Sequence, residues 1–410
     1  MSKTFPKRNL TISIEEINEE ENEAEIKEKK INEELSKFKK TYDISQIKDQ
    51  IEQRNILNLK KNSYLSGLLY YMEGENYIND ISYNYIINNL DLSLISQSIF
   101  ITNKNLNFNS WICNRNLESE FHLIKLITDT SNHKNLQIDI LKSLKRKNNR
   151  YNDILPFTFN LVPYQNKNII LNKENQNDWY INASFINGPF IGDEKCFIAA
   201  QAPIKDTINK FYKMCYNNDI KLIIMLCSFE EEGRKKCEYY LPKNLNVETI
   251  YENDIKVTIL SQEKLIDDCI IKREIIIDLN GIKKSLIHIQ MLNWPDYSMP
   301  NKQNGYLCIN FLIDVISKNR HYYVNSPVVI HCSAGTGRSG TLIAIFNLVK
   351  CIMFFKNVNY DNHVKPFISV FNIVRKLREQ RSGMVSCLEQ YKFIYQFVVL
   401  WIQRNYFQSN

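Results

Sequence analysis

Residues 328–341 read VVIHCSAGTGRSGT, and they decide how the rest of the chain is interpreted. The apolar run that ends at His331 is typical of a short buried strand, and a helical pattern over 339–355 follows it. The glycines in between predict a tight loop whose backbone N–H groups point inward and form a nest for an anion. The first turn of a helix adds its positive end to such a nest. The stretch therefore predicts an anion-binding loop between a strand and a helix.

Two side chains of this loop have functional groups suited to phosphate chemistry. Arg338 offers a planar fork that fits two oxygens of a phosphate group. Cys332 lies at the start of the loop, where the same positive field acts on its sulfur, and such surroundings lower a thiol pKa from about 8.5 to about 3.5–7.5. A thiolate beneath a phosphate nest is a nucleophile directed at phosphorus. A Walker-type nucleotide loop is excluded, because no Gly-Lys-Ser/Thr follows the glycines.

This stretch resembles the signature of the protein tyrosine phosphatases, His-Cys-x5-Arg-Ser/Thr, including the Ser-Ala-Gly-x-Gly interior of the phosphotyrosine-specific branch. The resemblance implies that Cys332 is the nucleophile, that Ser339 hydrogen-bonds its sulfur, and that His331 orders the loop and tunes the thiolate. It assigns binding of the phosphoryl group to the loop residues Ser333, Ala334, Gly335, Thr336, Gly337 and Arg338. It implies no cofactor and no metal, and no second histidine or carboxylate at metal-ligand spacing accompanies His331.

A second motif, NWPDYSMP at 293–300, lies before the cysteine loop, with Asp296 about 36 residues ahead of Cys332. It resembles the mobile Trp-Pro-Asp loop of the same family. By that resemblance, Asp296 protonates the departing tyrosine oxygen in the first step and acts as the base in the second. Trp294 and Pro295 are then the hinge and anchor on which the loop closes.

Residues 147–157 are similar to the family's Asn-Arg-Tyr-x-Asp loop. The resemblance makes Tyr151 the aromatic wall of a pocket deep enough to exclude phosphoserine, and it makes Asp153 the group that binds the backbone of the substrate. The basic residues between 142 and 150 border this loop. They are consistent with an ordinary solvated helix end or with steering of acidic phosphopeptides.

Supporting residues are implied at two further places. In 231–240, Glu231 matches the residue that holds the loop arginine, and Lys236 matches the one that engages the acid loop. In the family's glutamine loop, Gln390 matches the second glutamine, whereas Ser386 stands in place of the first. Because the first glutamine positions the hydrolytic water, we expect formation of the phosphocysteine intermediate to be intact and its hydrolysis to be slowed.

The remaining pattern predicts an α/β fold of the α+β type, a single catalytic domain with a twisted mixed β-sheet flanked by helices. Strand-like runs are predicted at 179–186, 196–200, 221–227, 256–260, 270–277, 285–291 and 327–330, and helices at 117–127, 305–318, 339–355, 367–381 and 388–404. The catalytic domain is expected to cover 115–407. The Glu- and Lys-rich residues 1–54 predict a disordered or solvated helical segment, and the Asn-, Ile- and Tyr-rich residues 55–114 form an extension without an assigned role.

The composition of the 410-residue chain limits the class of protein. Its 11 glycines are far fewer than the roughly 29 expected in an average chain of this length. We therefore expect each glycine to lie at a position with a specific structural requirement. Hydrophobic and charged contents of 44% and 24% exclude a collagen or a disulfide scaffold. The net charge of +7 favours anionic substrates but does not indicate nucleic acid as a partner.

Several patterns bear on the compartment. The longest apolar runs fall short of the roughly 18 residues that cross a membrane. The first residues have neither the apolar region of a signal peptide nor a Met-Gly start. The 10 cysteines are scattered without a CxxC pair. Together these observations predict a cytoplasmic or nuclear protein without a membrane span, and they do not indicate an oligomeric state.

The expected function is hydrolysis of phosphotyrosine on proteins through a phosphocysteine intermediate. Two alternatives stay open. A pseudophosphatase would bind phosphotyrosine without turnover, and Ser386 is the residue that favours it. A dual-specificity phosphatase would also accept phosphoserine, and the loop around Tyr151 argues against it. The intact set Cys332, Arg338 and Asp296 favours the enzyme.

Overall fold

The computed structural model describes residues 117–128, 148–157, 159–163, 180–190, 193–252, 254–300, 304–357 and 369–406. The segments predicted at 1–54 and 55–114, and the basic residues 142–147, lie outside the described residues. All residues of the cysteine loop and of the acid motif at 293–300 are described.

Helices and strands alternate along the described chain. The helices are α1 (Leu117–Ile127), α2 (Ile208–Asn217), α3 (Gly305–Tyr322), α4 (Gly337–Asn357), α5 (Val370–Gln380) and α6 (Leu388–Trp401), with a 3-10 turn at Lys205–Thr207 and a π-helical turn at Ile402–Tyr406. The strands are β1 (Ala183–Ile186), β2 (Phe197–Ala200), β3 (Leu222–Met225), β4 (Glu230–Glu231), β5 (Arg234–Lys235), β6 (Thr249–Tyr251), β7 (Ile255–Leu265), β8 (Ile270–Leu279), β9 (Ile282–Met291) and β10 (Val328–His331).

One 8-stranded sheet organises the fold, in the order β1-β2-β10-β3-β9-β8-β7-β6. The central strands β2, β10, β3 and β9 run parallel, and antiparallel strands flank them on both sides. β10 and its neighbour β3 are buried at every residue, which explains why their sequences are continuous apolar runs without polar alternation. The predicted mixed sheet flanked by helices is confirmed.

Apolar clusters cover both faces of the sheet. On one face α3, α4 and α6 pack over Val328 and Ile330. On the other face α2 packs over Val329 and Ile223, together with apolar residues of β7 and β8. The odd and even residues of β10 therefore enter different clusters, as the period-2 geometry of a strand requires. β10 is therefore packed on both faces of the sheet up to the start of the cysteine loop.

Some helices and strands begin or end at other residues than the hydrophobic pattern predicts. The predicted strand at 256–260 continues to Leu265, because the exposed residues Ser261 to Lys264 still pair with β8 beyond the apolar core. The predicted strand at 179–186 begins only at Ala183. The helix predicted from 367 begins at Val370, where the side chain of Ser369 accepts a hydrogen bond from the Asn372 amide and caps it.

Helix α4 passes the length and composition test for a membrane span within the part of the chain that is described. The 18 residues of Gly337–Phe354 are apolar enough, but 83% of them are buried inside the fold. The sequence-based statement that no apolar run is long enough to cross a membrane therefore overlooked this helix. The helix owes its apolar surface to its place in the core, between β10 and α6.

Candidate active site

The cysteine loop lies at the carboxyl end of β10, in the middle of the parallel part of the sheet. In open sheets of this kind, ligands bind at the carboxyl ends of the parallel strands. Backbone bonds fix the loop at its base, where the Leu226 amide donates to the His331 carbonyl at 2.8 Å. The loop ends where Gly337 begins α4.

The carbonyl groups of the loop are all turned away from its centre by specific donors. The Ala202 amide donates to the Ser333 carbonyl at 2.9 Å. The buried guanidinium of Arg381 donates to the carbonyls of Ala334 at 3.1 Å and Gly335 at 2.9 Å. With its carbonyls held outside, the loop directs its amides inward, and the Gly335 amide lies 3.3 Å from the Cys332 sulfur. The loop is thus a preformed anion nest.

Glycine is required at position 335 for two reasons. Its φ is +71°, in the left-handed region that side chains rarely adopt, and an added Cβ would lie 2.1 Å from the Ala200 carbonyl oxygen. The close contact is with backbone of the neighbouring strand β2, so no side chain could move aside to relieve it. The nest can therefore lie directly against the sheet only because residue 335 has no side chain.

The sulfur of Cys332 is activated by its surroundings. Burial alone would raise the pKa of this thiol, but the nearby Arg338 guanidinium, the hydroxyl and amide of Ser339 and the amide of Gly335 together lower it below its ordinary value. Burial instead raises the pKa of Cys215 and of Cys351. The loop therefore favours the thiolate at this one position against the general effect of burial.

One terminal nitrogen of the Arg338 guanidinium is hydrogen-bonded to the protein, and the opposite edge keeps N–H donors that make no hydrogen bond within the described residues. Its Nη1 donates to Glu231 Oε1 at 2.7 Å and to the Trp294 carbonyl at 2.8 Å. Its Nε and Nη2 are buried and have no hydrogen-bond partner among the described residues. These two nitrogen atoms form one edge of the guanidinium, the edge that binds a phosphate through two parallel hydrogen bonds. Glu231 thus contacts the arginine that the family resemblance pairs it with.

The acid motif is docked across the loop. Lys236 Nζ lies 2.6 Å from Asp296 Oδ2, and Arg338 Nη2 lies 3.4 Å from Asp296 Oδ1. Trp294 is 1% exposed, and its indole N–H donates to the Ser298 carbonyl at 2.8 Å, which closes the turn around the carboxylate. Pro295 is exposed, so Trp294 rather than Pro295 makes the buried contact of this segment.

Tyr151 forms the rim on the opposite side. Its hydroxyl donates to Ser333 Oγ at 2.9 Å, and Ser333 Oγ in turn donates to the Lys236 carbonyl at 3.0 Å. Arg150, next to it, donates to the Pro203 carbonyl at 2.8 Å and so anchors the rim to the chain after β2. Asp153 is exposed beside them. The aromatic ring thus stands over the nest with its orientation fixed by the loop itself.

The glutamine loop packs against the far end of the nest. Gln390 is buried, and its Oε1 accepts a hydrogen bond from the Ser386 amide at 3.0 Å. The Ser386 hydroxyl donates to the Gly383 carbonyl at 3.0 Å and lies 3.3 Å from Thr336 Oγ1. An added Cβ at Gly337 would lie 3.0 Å from the Gln390 amide and from Ser386 Oγ. Both residues therefore approach the nest where it enters α4.

A buried polar chain beneath the loop was not predicted from the sequence. His331 Nδ1 donates to the Cys332 carbonyl at 3.2 Å, so its Nε2 accepts from the Tyr240 hydroxyl at 2.8 Å. His288 Nε2 lies 2.8 Å from the same hydroxyl and must donate to it. Burial is the main cause that lowers the pKa of His331 to about 4. His331 therefore orders the backbone of Cys332 as a neutral imidazole.

Arg381 is the other residue that the sequence did not single out. Besides the two loop carbonyls, it donates to Asn182 Oδ1 at 2.8 Å and to Ser184 Oγ at 3.1 Å. Arg381 is the last residue of the helix predicted at 367–381 and directly follows the observed helix, but its partners are distant in the chain.

Comparison with known proteins identifies the fold. The protein-tyrosine phosphatase family model matches residues 145–400. The chain is 31% identical over 257 residues to human tyrosine-protein phosphatase non-receptor type 12, covering 62% of this chain and 30% of that protein. It is also 31% identical over 260 residues to rat non-receptor type 20, covering 63% of this chain and 55% of the relative. The chain thus matches about a third to a half of these relatives' length.

The solved catalytic domain of human protein tyrosine phosphatase non-receptor type 18 is 25% identical, with a TM-score of 0.59, and covers 69% of this chain and 95% of that one. A second structure has PTPN18 in complex with HER2 phosphopeptides, at 25% identity and a TM-score of 0.59, over 70% of this chain and 92% of that one. The fold, the anion nest and the match of the family model agree. The chain belongs to the protein-tyrosine phosphatase family.

Proposed function

We propose that this protein hydrolyses phosphotyrosine on proteins through a phosphocysteine intermediate at Cys332. One observation carries the proposal. The Cys332 thiol with its lowered pKa, the Nε–Nη2 edge of Arg338, whose two nitrogen atoms make no hydrogen bond within the described residues, and the Asp296 carboxylate 3.4 Å from Nη2 lie around one anion nest. A thiolate, a phosphate clamp and a proton donor are the three groups that cysteine-dependent phosphoryl transfer needs.

In the first step, the Cys332 thiolate attacks phosphorus while Arg338 and the loop amides bind the three equatorial oxygens. These donors are already in place, so they stabilise the transition state without reorganisation. Asp296 gives its proton to the tyrosine oxygen as the bond to phosphorus breaks. Lys236 and Arg338, which flank Asp296, hold the carboxyl group over the nest.

In the second step, water attacks phosphorus and the bond to the Cys332 sulfur breaks. Asp296, now a carboxylate, takes a proton from that water. The thiolate is a good leaving group because the groups that lower its pKa also stabilise it as it departs. The Ser339 hydroxyl is buried beside the sulfur without an oxygen or nitrogen partner in the described part of the chain, which suits it to that role.

The rim supports phosphotyrosine as the substrate. Tyr151 is fixed by Ser333, so its ring can stack on a phenyl ring that reaches the sulfur. A phosphoserine side chain lacks the length to reach the nest past this wall. Asp153, exposed next to Tyr151, is suited to bind the backbone N–H groups of a phosphopeptide. A dual-specificity enzyme would need a shallower rim.

The other expectations belong to the same proposal. The catalytic domain extends over 115–407, and α1 at its start joins the fold through Glu120, whose carboxylate accepts hydrogen bonds from Tyr391 and Tyr395 at 2.9 and 2.8 Å. Residues 1–114 then precede the domain. We place the protein in the cytoplasm or nucleus, acting on phosphotyrosine proteins in signal transduction, as its relatedness to non-receptor phosphatases supports.

Turnover of p-nitrophenyl phosphate tests this function. Wild-type protein should release p-nitrophenol and phosphate in equal amounts, and Cys332→Ser should release neither. Asp296→Ala should bind a phosphotyrosine peptide and release it unchanged over the same period. A wild type that binds the peptide but frees no phosphate over hours would instead be the pseudophosphatase that Ser386 favours.

A further inference from the structure

A buried arginine lies at the far end of the polar chain beneath the cysteine loop. Arg273 is 6% exposed, and on β8 it lies directly opposite His288 of β9. Its Nε donates to Gln262 Oε1 at 2.7 Å and its Nη1 to Gln290 Oε1 at 3.1 Å, and neither partner is a carboxylate. Burial of a guanidinium without a carboxylate partner is costly. The positive charge therefore acts on the neutral polar groups around it.

Arg273 determines which nitrogen of His288 carries the proton. Its Nη1 lies 3.4 Å from His288 Nδ1. A guanidinium can only donate hydrogen bonds, so Nδ1 is the acceptor and the proton of the neutral ring is on Nε2. Burial, and after it the charge of Arg273, lowers the pKa of His288, which keeps the ring neutral. The tautomer of His288 is therefore set from the β8 side, at the end of the chain that is remote from the cysteine loop.

The same proton order continues to the nucleophile. His288 Nε2 donates to the Tyr240 hydroxyl, whose single proton then goes to His331 Nε2, each across 2.8 Å. The sulfur of Met225, at 3.8 Å from this hydroxyl, is a weaker acceptor. With Nε2 as an acceptor, His331 keeps its proton on Nδ1, 3.2 Å from the Cys332 carbonyl. The order that starts at Arg273 thus supplies the donor that this carbonyl needs.

The opposite proton order would weaken the base of the cysteine loop. With its proton on Nδ1, His288 would accept from the Tyr240 hydroxyl, and His331 Nε2 would donate to that hydroxyl. His331 Nδ1 would then be a second acceptor facing the Cys332 carbonyl at 3.2 Å. Two acceptors at this distance repel each other, so the backbone of the nucleophile would lose its support.

The chain lies in surroundings that strengthen electrostatic effects. His288, Tyr240 and His331 are completely buried. Phe211 of α2 packs edge-on against Tyr240 and His331, with ring centroids 5.4 and 5.7 Å away. In such a medium, successive hydrogen bonds polarise one another. A cation at one end therefore favours the same donor direction in every bond of the chain.

We propose that Arg273 is a positioning residue for the nucleophile. It sets the proton order of His288, Tyr240 and His331, and it thereby keeps the Nδ1–H of His331 on the Cys332 carbonyl. The proposal rests on the proposed function in one respect, because Cys332 is the nucleophile only if that function holds. The proton order itself does not depend on turnover.

Other charged and titratable groups also face the loop end of this chain. Those that act on His331 or on the Cys332 sulfur are Arg150, Arg338, Arg381 and Cys227, with the hydroxyl and amide of Ser339 and the amide of Gly335. Substitution of Arg273 leaves all of them in place. A change in proton order or in thiol reactivity is then due to Arg273.

Nuclear magnetic resonance of the full chain with ¹⁵N-labelled histidine reads the proton order directly. Long-range ¹H–¹⁵N spectra distinguish a ring protonated at Nδ1 from one protonated at Nε2. The chain has six histidines, so the signals of His288 and His331 are assigned by their loss in His288→Asn and His331→Asn. Arg273→Met keeps the length of the side chain without charge or donors, and Arg273→Lys keeps a charge and a donor.

We expect wild type to show His288 protonated at Nε2 and His331 protonated at Nδ1. Arg273→Met should populate the reverse tautomers of both rings, whereas Arg273→Lys should retain those of wild type. Alkylation of Cys332 by iodoacetamide at mildly acidic pH, followed on its own peptide by mass spectrometry, should slow about three- to tenfold in Arg273→Met, the size of one hydrogen bond. In Tyr240→Phe, which interrupts the chain, Arg273→Met should have no further effect on Cys332.

Several outcomes would overturn the inference. A wild-type protein with His288 protonated at Nδ1, or with His331 protonated at Nε2, would do so even if Arg273→Met failed to fold. Unchanged tautomers and alkylation rates in Arg273→Met would show that Arg273 only fills space, and equal losses in Arg273→Met and Arg273→Lys would show that its shape matters rather than its charge. Failure of the proposed function looks different, since wild type would then release no p-nitrophenol while its tautomers stayed as expected.

Discussion

The cysteine loop and the glutamine loop meet at Gly337, yet they are built in different ways. In the cysteine loop, Arg381 and the chain after β2 bind the carbonyls of Ser333, Ala334 and Gly335, which leaves the amides to face the anion. In the glutamine loop, the polar side chain of Ser386 bonds to its own loop. The carbonyls of the cysteine loop are held by donors from distant parts of the chain, whereas those of Met384 and Val385 in the glutamine loop are held by Arg378 of the preceding helix, at 3.2 and 3.5 Å.

The difference also appears in the backbone. Val385, directly before Ser386, has a φ of +57°, a conformation that is unfavourable for a β-branched residue. Its amide donates to the Thr336 carbonyl at 3.3 Å, and the close approach of Met384 and Val385 to Gly340 keeps the loop against α4. Strain of this kind persists where the surroundings impose it. The comparison teaches that the two steps of the reaction depend on two separately supported pieces of structure, so they can be altered separately.

We expect the largest effect from removal of the general acid, which both steps of the reaction require. Asp296→Ala should lower kcat on a phosphotyrosine peptide by about 10²–10⁴-fold, because the tyrosine oxygen then leaves without a proton. The loss should be smaller with p-nitrophenyl phosphate, whose leaving group needs less help. Steady-state kinetics on both substrates measure the two losses. An equal loss on both substrates would contradict the role of Asp296 as the acid.

A pair of glycine variants sharpens the comparison between the loops. Gly335→Ala places a Cβ 2.1 Å from the Ala200 carbonyl oxygen at a positive φ, so it should disrupt the nest and slow the first release of p-nitrophenolate about 100-fold or more.

The three atoms nearest to the added Cβ of Gly337→Ala belong to the side chains of Gln390 and Ser386, at 3.0 Å, and these side chains can shift. It should spare the first release relative to Gly335→Ala and mainly reduce the steady rate. Rapid-mixing kinetics of both variants provide the test. If Gly337→Ala slowed the first release as strongly as Gly335→Ala does, the two loops would not be separable.

The pH dependence of kcat/KM reports on the cysteine loop alone. Because the Arg338 guanidinium and the groups of Ser339 and Gly335 outweigh burial, the pKa of the Cys332 thiol is lowered, and the thiolate persists below the ordinary thiol range. The activity should rise with pH along an acidic limb that lies below that range. Ser339→Ala removes one of the stabilising groups, so the limb should move to higher pH. A limb that stays in place would argue against the contact between Ser339 and the sulfur.

The smallest effect concerns stability. His331 has a pKa of about 4 in the folded protein, mainly through burial, against about 6.5 in the unfolded chain. The unfolded chain binds more protons between these values, so the stability present above the unfolded pKa is lost as the pH falls. For His331 the loss is about 2 kcal/mol of unfolding free energy at about pH 5.

Denaturant unfolding from neutral to mildly acidic pH measures this loss. His331→Asn should flatten the curve relative to wild type, since it removes the titrating imidazole and retains a polar side chain next to Tyr240. The same slope in both proteins would mean that His331 is not the group responsible.

Much of this molecule could be predicted from local pattern. The bounds of α1 agree with the apolar stripe of residues 117–127, and β10 was expected as a buried run that ends in the cysteine loop. The stretch that forms the nest is continuous in the chain, so its glycines, Cys332 and Arg338 carry the whole signal. The contacts of Glu231 and Lys236 were expected only from the family resemblance, because alone they read as a charged surface turn.

What was missed depends on distance along the chain. Arg381 supports loop carbonyls more than forty positions away, at Gly335 and Ala334. The Tyr240 hydroxyl links His288 on β9 to His331 on β10, and the three residues are far apart in the sequence. Neither helical periodicity nor a local motif predicts such long-range contacts, because they form only once the strands have taken their order in the sheet. The hydroxyl pair of Thr336 and Ser386 belongs to the same class, because it forms between two loops that are remote in sequence.

The most direct test of the account is the location of the phosphate during turnover. Wild-type protein is mixed with a phosphotyrosine peptide, stopped within the first turnovers by denaturant, digested and examined by mass spectrometry. The account predicts one phosphoryl group on the peptide that contains Cys332, and none on the corresponding peptide of Cys332→Ser. Release of phosphate from the substrate with Cys332 never phosphorylated, or with the phosphoryl group on another residue, would contradict it.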